Sequence, residues 1–172
     1  KCITVASFAL SPIHALSIPL RAMDWSRLWS DANEERIVRA IGNVLEDAAV
    51  PKVAHNMAFE QFCHRWLYGH RIASPEDSMI AWNVAFPELE KNLSVVASVV
   101  TSQSYWGEAD DQKTQPDRDT YNAIDSCVCL EAWQRLMAEF TPAQRAYYQT
   151  QRDLLEPCGE MAFVGMAYDS AG

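Results

Sequence analysis

At 172 residues, with 49% of them hydrophobic, the chain is long enough to bury one core and too apolar to remain disordered. The formal net charge of -9 argues against a protein that grips nucleic acid mainly by counterion release, which needs clustered Lys and Arg, but not against a nuclease with acids that ions neutralise. Five scattered cysteines (Cys2, Cys63, Cys127, Cys129, Cys158) form no Cys-x-x-Cys pair, which points to reduced thiols in a cytosolic compartment, serving as small apolar fillers.

The chain begins on a lysine and opens directly into a strand-like run, as a piece of a longer protein would. Ile3 to Leu10 is rich in β-branched and aromatic residues; after the turn signal Ser11-Pro12 a second run spans Ala15 to Leu20, so an antiparallel hairpin is expected. Pro19 places the second strand at an edge or at its end, because proline cannot donate to a ladder. Pro12 and Pro19 also interrupt the one early apolar stretch, which leaves no run of membrane-spanning length. Ser30 to Glu34 supplies capping residues for an amphipathic helix carrying Ile37, Ile41, Val44, Leu45 and Ala48.

Pro51 to Asn56, short and apolar at its centre, reads as a strand of an α/β crossover. A helix from Met57 to Tyr68 follows, with Phe59, Phe62, Cys63, Trp66 and Leu67 as its apolar stripe and Gly69 as its stop. Asp77-Ser78 caps Met79 to Ala85, which Pro87 ends. Leu93 to Val100 reads as one more short helix, although its Val-Val pairs equally suit a strand. Gln103 to Arg118 is polar and reads as a mobile loop holding Tyr105 and Trp106, as a hydrophobic anchor or a base-stacking pair. A long helix from Asp119 to near Phe140 comes next. Thr141-Pro142 opens the last helix, with Leu154, Leu155, Cys158, Met161 and Ala162 as its stripe and a kink at Pro157.

Three groups of residues compete for the chemistry. Tyr121 and Asp125 are four apart on the long helix, so a phenol and a carboxylate share one face there. His55-Asn56-Met57-Ala58-Phe59-Glu60 puts an asparagine at a strand end and a carboxylate in the first turn of the helix after it, where ligands of α/β sheets bind. The four histidines, His14, His55, His64 and His70, lie in no zinc-type spacing, and His55 reads as structural. Phosphate loops and nucleophile elbows are missing from the sequence.

In order, the hairpin, Asn56-Met57-Ala58-Phe59-Glu60, Asp77-Ser78-Met79 and Tyr121-Asn-Ala-Ile-Asp125 resemble the proofreading 3′–5′ exonucleases of ribonuclease H-like fold, in the branch marked by a tyrosine four residues before the last aspartate. Asn56 to Glu60 is similar to that family's second motif and Tyr121 to Asp125 to its third. Leu155 to Asp169 resembles the helix leading into the polymerase part of DNA polymerase I relatives, including phage ones. The resemblance implies an α/β domain over 1–140, a mixed sheet flanked by helices and truncated at its N-terminus, and a helical extension over 141–172 leading to a covalently linked polymerase domain. It implies two divalent ions (Mg2+ or Mn2+), with Asp125 a direct ligand, Glu60 acting on the second ion partly through water, and Tyr121 orienting the attacking water. Asn56 and Phe59 would shape the pocket for the 3′ end of a single-stranded DNA, in the cytoplasm of a bacterium or phage-infected host.

Two departures from the family pattern stand out. Glu60 occupies a position where the family has aspartate, and the first motif, an Asp-x-Glu, does not occur in Lys1 to Leu10. Lacking it, the 172-residue chain is expected to be inactive and not to retain its ions. The rival readings are an inert scaffold module of the same fold beside a polymerase, and an exoribonuclease of the same superfamily.

Overall fold

The computed structural model describes residues 3–103, 106 and 113–165. The hairpin is β1 (Val5–Ser11) and β2 (His14–Pro19), paired antiparallel with Val5 opposite Pro19 and Phe8 opposite Leu16. Pro19 is the last residue of its strand. Helix α1 (Asp31–Glu46) starts where the Ser30 hydroxyl accepts from the Asn33 N–H. A short strand β3 (Lys52–Ala54) leads into α2 (Met57–Tyr68), closed by Gly69 at φ 76, a left-handed conformation that glycine adopts without steric cost.

β4 (Pro75–Asp77), which no apolar pattern announces, pairs parallel with β3 and runs straight into α3 (Ser78–Ala85). Leu93–Val100 is a helix, α4, because the Asn92 side chain accepts from the Val95 N–H and so gives the valine-rich run a helical start. The long helix α5 spans Gln115–Glu139 and begins four residues earlier than expected. Thr114 and Asp117 form a capping box, and Pro116 sits in the first turn, where its missing N–H costs nothing. Of the expected loop, Tyr105 lies outside the described residues, as do Met166 to Asp169 of the tail.

The expected last helix is two: α6 (Pro142–Asp153) and α7 (Leu155–Val164) meet at Leu154, so the chain turns before Pro157 rather than at it. Proline cannot donate a helical bond, and within the first turn of α7 it has none to donate.

The expected single mixed sheet is observed, among the described residues, as two separate two-stranded sheets, β1–β2 and β3–β4. α5 packs on the hairpin and on β3, and α3 and α4 pack on its other side. The core there consists of Ala81, Trp82, Val96, Ala132, Leu136, Phe140 and Tyr148, all buried. Tyr148 is anchored at its polar tip as well: its hydroxyl donates to Glu76 at 2.6 Å and accepts from Trp133 Nε1 and the Asp77 N–H, each at 3.0 Å. Burial and the neighbouring Glu76 push this phenol well above its usual pKa, keeping it a donor.

The expected apolar stripe of α2 is not its core face. Met57 and His64 are buried, whereas Phe59, Phe62 and Trp66 are exposed along one side of an open cleft.

Candidate functional site

The cleft has a volume of about 1600 Å3 and lies between the two sheets, with α1 and α2 on one wall and α5 on another. Every residue of β1 from Val5 to Leu10 lines it, as do Lys52, Val53 and Ala54 of β3. Side chains of a strand alternate between faces, so consecutive lining residues mean that the strand's edge borders the cleft. Each sheet thus turns its unpaired edge toward the same space. That space is larger than the roughly 300–1,000 Å3 of ordinary small-molecule pockets.

At the end of β3, Asn56 adopts φ 73 and serves as the N-cap of α2 without a side-chain bond. Asparagine tolerates this left-handed conformation better than most residues, which accounts for the residue type by backbone geometry. The corner is fixed from below by Asp77. Its carboxylate, 1% exposed, accepts from the Asn56 N–H at 3.3 Å, Met57 at 2.8 Å, Met79 at 2.7 Å and Ile80 at 3.2 Å. One side chain therefore caps α2 and α3 together. Its role at α3 is legible in the sequence; its role at α2 depends on the parallel pairing of β3 with β4.

Glu60, one turn into α2, lines the cleft and makes no hydrogen bond or ion pair among the described residues; burial raises its pKa. Asp125 on α5 lines the same cleft, with its pKa raised to about 6 by burial against the opposing effect of a hydrogen bond from Trp106. That bond, Trp106 Nε1 to Asp125 Oδ1 at 2.8 Å, gives Trp106 a definite polar partner. No helical spacing could have shown it, because it crosses from the segment before α5 to the helix itself.

The fold thus brings Glu60, Asp125 and Phe59 to one cleft. Asn56 and Tyr121 are not among the residues lining it. Tyr121 is half-buried one turn before Asp125 on α5. His55 is bolted in place at both ring nitrogens: Nε2 donates to the Lys91 carbonyl at 2.6 Å, and Nδ1 is 2.9 Å from the Ser78 hydroxyl. Its pKa is lowered by burial. Deeper in the cleft, burial and the neighbouring His70 push His64 down to about 4. Cys129, fully buried against Ser78, is pushed up to about 12 and is a filler rather than a nucleophile.

Two divalent ions would need more donors than this. Hard ions such as magnesium take about six oxygen ligands, largely carboxylates and water. Among the described residues no group of three or more His, Cys, Asp or Glu side chains could hold a metal ion. Glu60 and Asp125 alone do not fit a two-ion centre. Among the same residues, no helix is long and apolar enough to cross a membrane.

No family model matches the chain, and no curated protein matches it by sequence. In three dimensions it is similar to NrnC of Brucella melitensis, in a structure bound to pGG, with a TM-score of 0.60 and 14% sequence identity over 98% of this chain and 87% of that one. At this identity the likeness is one of fold alone.

Proposed function

We propose that this chain is the nuclease domain of a 3′–5′ exonuclease acting on single-stranded 3′ ends, in the proofreading part of a DNA polymerase I type enzyme. The observation that carries the reading is the convergence of Glu60 and Asp125, from α2 and α5, on one cleft beside two unpaired sheet edges. The similarity in fold to NrnC supports the nuclease class. The polymerase context is supported by the resemblance of Leu155 to Asp169 to the helix that leads into such polymerases.

On this reading the cleft takes one extended strand that carries an Asp-x-Glu from a segment preceding Lys1. Such a strand would pair with the edges of β1 and β3 and join the two small sheets into one. It would also bring two acids to the end of the cleft where Glu60 and Asp125 wait, raising the donor set to four carboxylates. The segment 141–172 would then be the connection toward the polymerase domain.

An exoribonuclease is the second reading, favoured by the NrnC structure, in which the bound molecule is pGG. Trimming of 5′-labelled single-stranded DNA and RNA of one sequence, by the protein extended upstream through the Asp-x-Glu, separates the two. The proofreading reading expects Asp125→Ala to abolish DNA trimming and leave polymerisation intact. An unchanged exonuclease rate would refute the role given to Asp125, and trimming confined to RNA would favour the second reading.

A further inference from the structure

We propose that the turn from Ala22 to Ser26 presents Trp25 as a stacking surface for a base of the single strand approaching the Glu60–Asp125 end of the cleft; this rests on the nuclease reading above. Trp25 is 69% exposed and has φ 68, a left-handed conformation that is a genuine outlier for a bulky residue. The turn is tightly built: the Trp25 N–H donates to the Ala22 carbonyl at 3.0 Å and the Ala22 N–H to the Ser26 carbonyl at 2.9 Å, while Asp24 Oδ1 accepts from the Ser26 N–H at 3.0 Å. Among the described residues, the indole itself makes no hydrogen bond and no ring contact. Strain is thus held in the backbone while most of the side chain it displays faces solvent, an arrangement that suits a ligand.

The turn stands at the correct end of the molecule. The N–H groups of Leu20 and Arg21 both donate to the Thr4 carbonyl, so the loop leaves the hairpin beside the start of β1, and Thr4 lines the cleft. The Arg118 guanidinium donates to the Arg21 carbonyl and ties the loop to α5. Arg118 precedes Asp125 by two helical turns on the same face, about 10 Å along the axis.

A β-bridge between Arg21 and Arg27 closes the base of the loop; Arg21 is buried and ion-paired with Glu34, and Arg27 is ion-paired with Asp31, so both charges are spent on holding it. Trp29 is fixed by its Nε1 donating to the Pro19 carbonyl at 2.7 Å. An exposed indole held by such a loop beside the cleft offers the stacking half of the chemistry by which single-strand grooves hold bases without reading their sequence.

The test is fluorescence anisotropy of a 5′-labelled oligothymidylate of about ten nucleotides, in EDTA, against the wild-type chain, Trp25→Ala, Trp25→Phe and Ile13→Ala. Ile13 is more exposed still and sits in the turn between β1 and β2. Trp25→Ala is expected to weaken binding about 10- to 100-fold, with Trp25→Phe restoring most of it and Ile13→Ala without effect. Wild-type affinity in Trp25→Ala, or no rescue by phenylalanine, overturns the stacking role and leaves the nuclease reading standing. The same series is run in the chain extended upstream through the Asp-x-Glu strand, and no binding by either wild-type form overturns the nuclease reading itself.

Discussion

Asp77→Ala is expected to destabilise the fold by about 3–5 kcal/mol. The carboxylate is buried and receives four backbone N–H groups, two at the entry to α2 and two in the first turn of α3. Alanine leaves all four donors without that acceptor, and each charge-assisted bond contributes about 1.5–3 kcal/mol before the corner relaxes. Water can restore only part of this, since Met57 and Ser78 are themselves buried. Asp77→Asn keeps an acceptor oxygen but turns an amide donor toward N–H groups, so it should fall between the two. Urea unfolding at constant pH measures the difference, and a loss below about 1 kcal/mol would mean that Asp77 does not hold the corner.

Asp125→Asn is expected to stabilise the chain by about 1–2 kcal/mol at neutral pH. Burial raises the Asp125 pKa from 3.8 to about 6, so the folded state favours the protonated form. A group with a raised folded pKa contributes stability that is fully present below its unfolded pKa and lost as pH rises through the folded one. The wild-type chain therefore loses stability between about pH 4 and pH 6 that asparagine, permanently neutral and still able to accept from Trp106, does not lose. A shift of this size corresponds to about 3 kcal/mol, reduced here for the solvent that the half-buried carboxylate still reaches. The advantage of the variant should vanish below pH 4 and reach its plateau above pH 6. A difference independent of pH, or a destabilised variant at pH 7, would contradict this.

Local elements were legible wherever a short-range rule decided them. Met57 to Tyr68 reads directly as a helix because Gly69 stops it, and the hairpin reads from two β-rich runs about a proline turn. The start of α5 was misplaced because Pro116 and Asp117 look like loop residues until Thr114 is seen to cap them. β4 left no trace, since Pro75-Glu76-Asp77 has no apolar alternation and forms only because β3 lies beside it. The stripe of α2 carries a helical period correctly, yet Phe59, Phe62 and Trp66 face open space, because periodicity shows which residues share a face and not what covers that face.

For the site, Glu60 and Asp125 were legible only as members of an ordered pattern. Their convergence requires the long-range packing of α5 against β3. The contact of Trp106 with Asp125 and the double cap by Asp77 were not legible, being side-chain bonds between segments distant in sequence.

The most direct test of the half-site is trimming of a 5′-labelled single-stranded oligonucleotide in magnesium or manganese. It compares the 172-residue chain alone, the chain extended upstream through an Asp-x-Glu strand, and the extended form carrying Asp125→Asn. No appreciable trimming by the chain alone, and trimming by the extended form that Asp125→Asn abolishes, is the expected result. Robust trimming by the chain alone, or by the extended Asp125→Asn form, would contradict the assignment of Glu60 and Asp125 as half of a nuclease site.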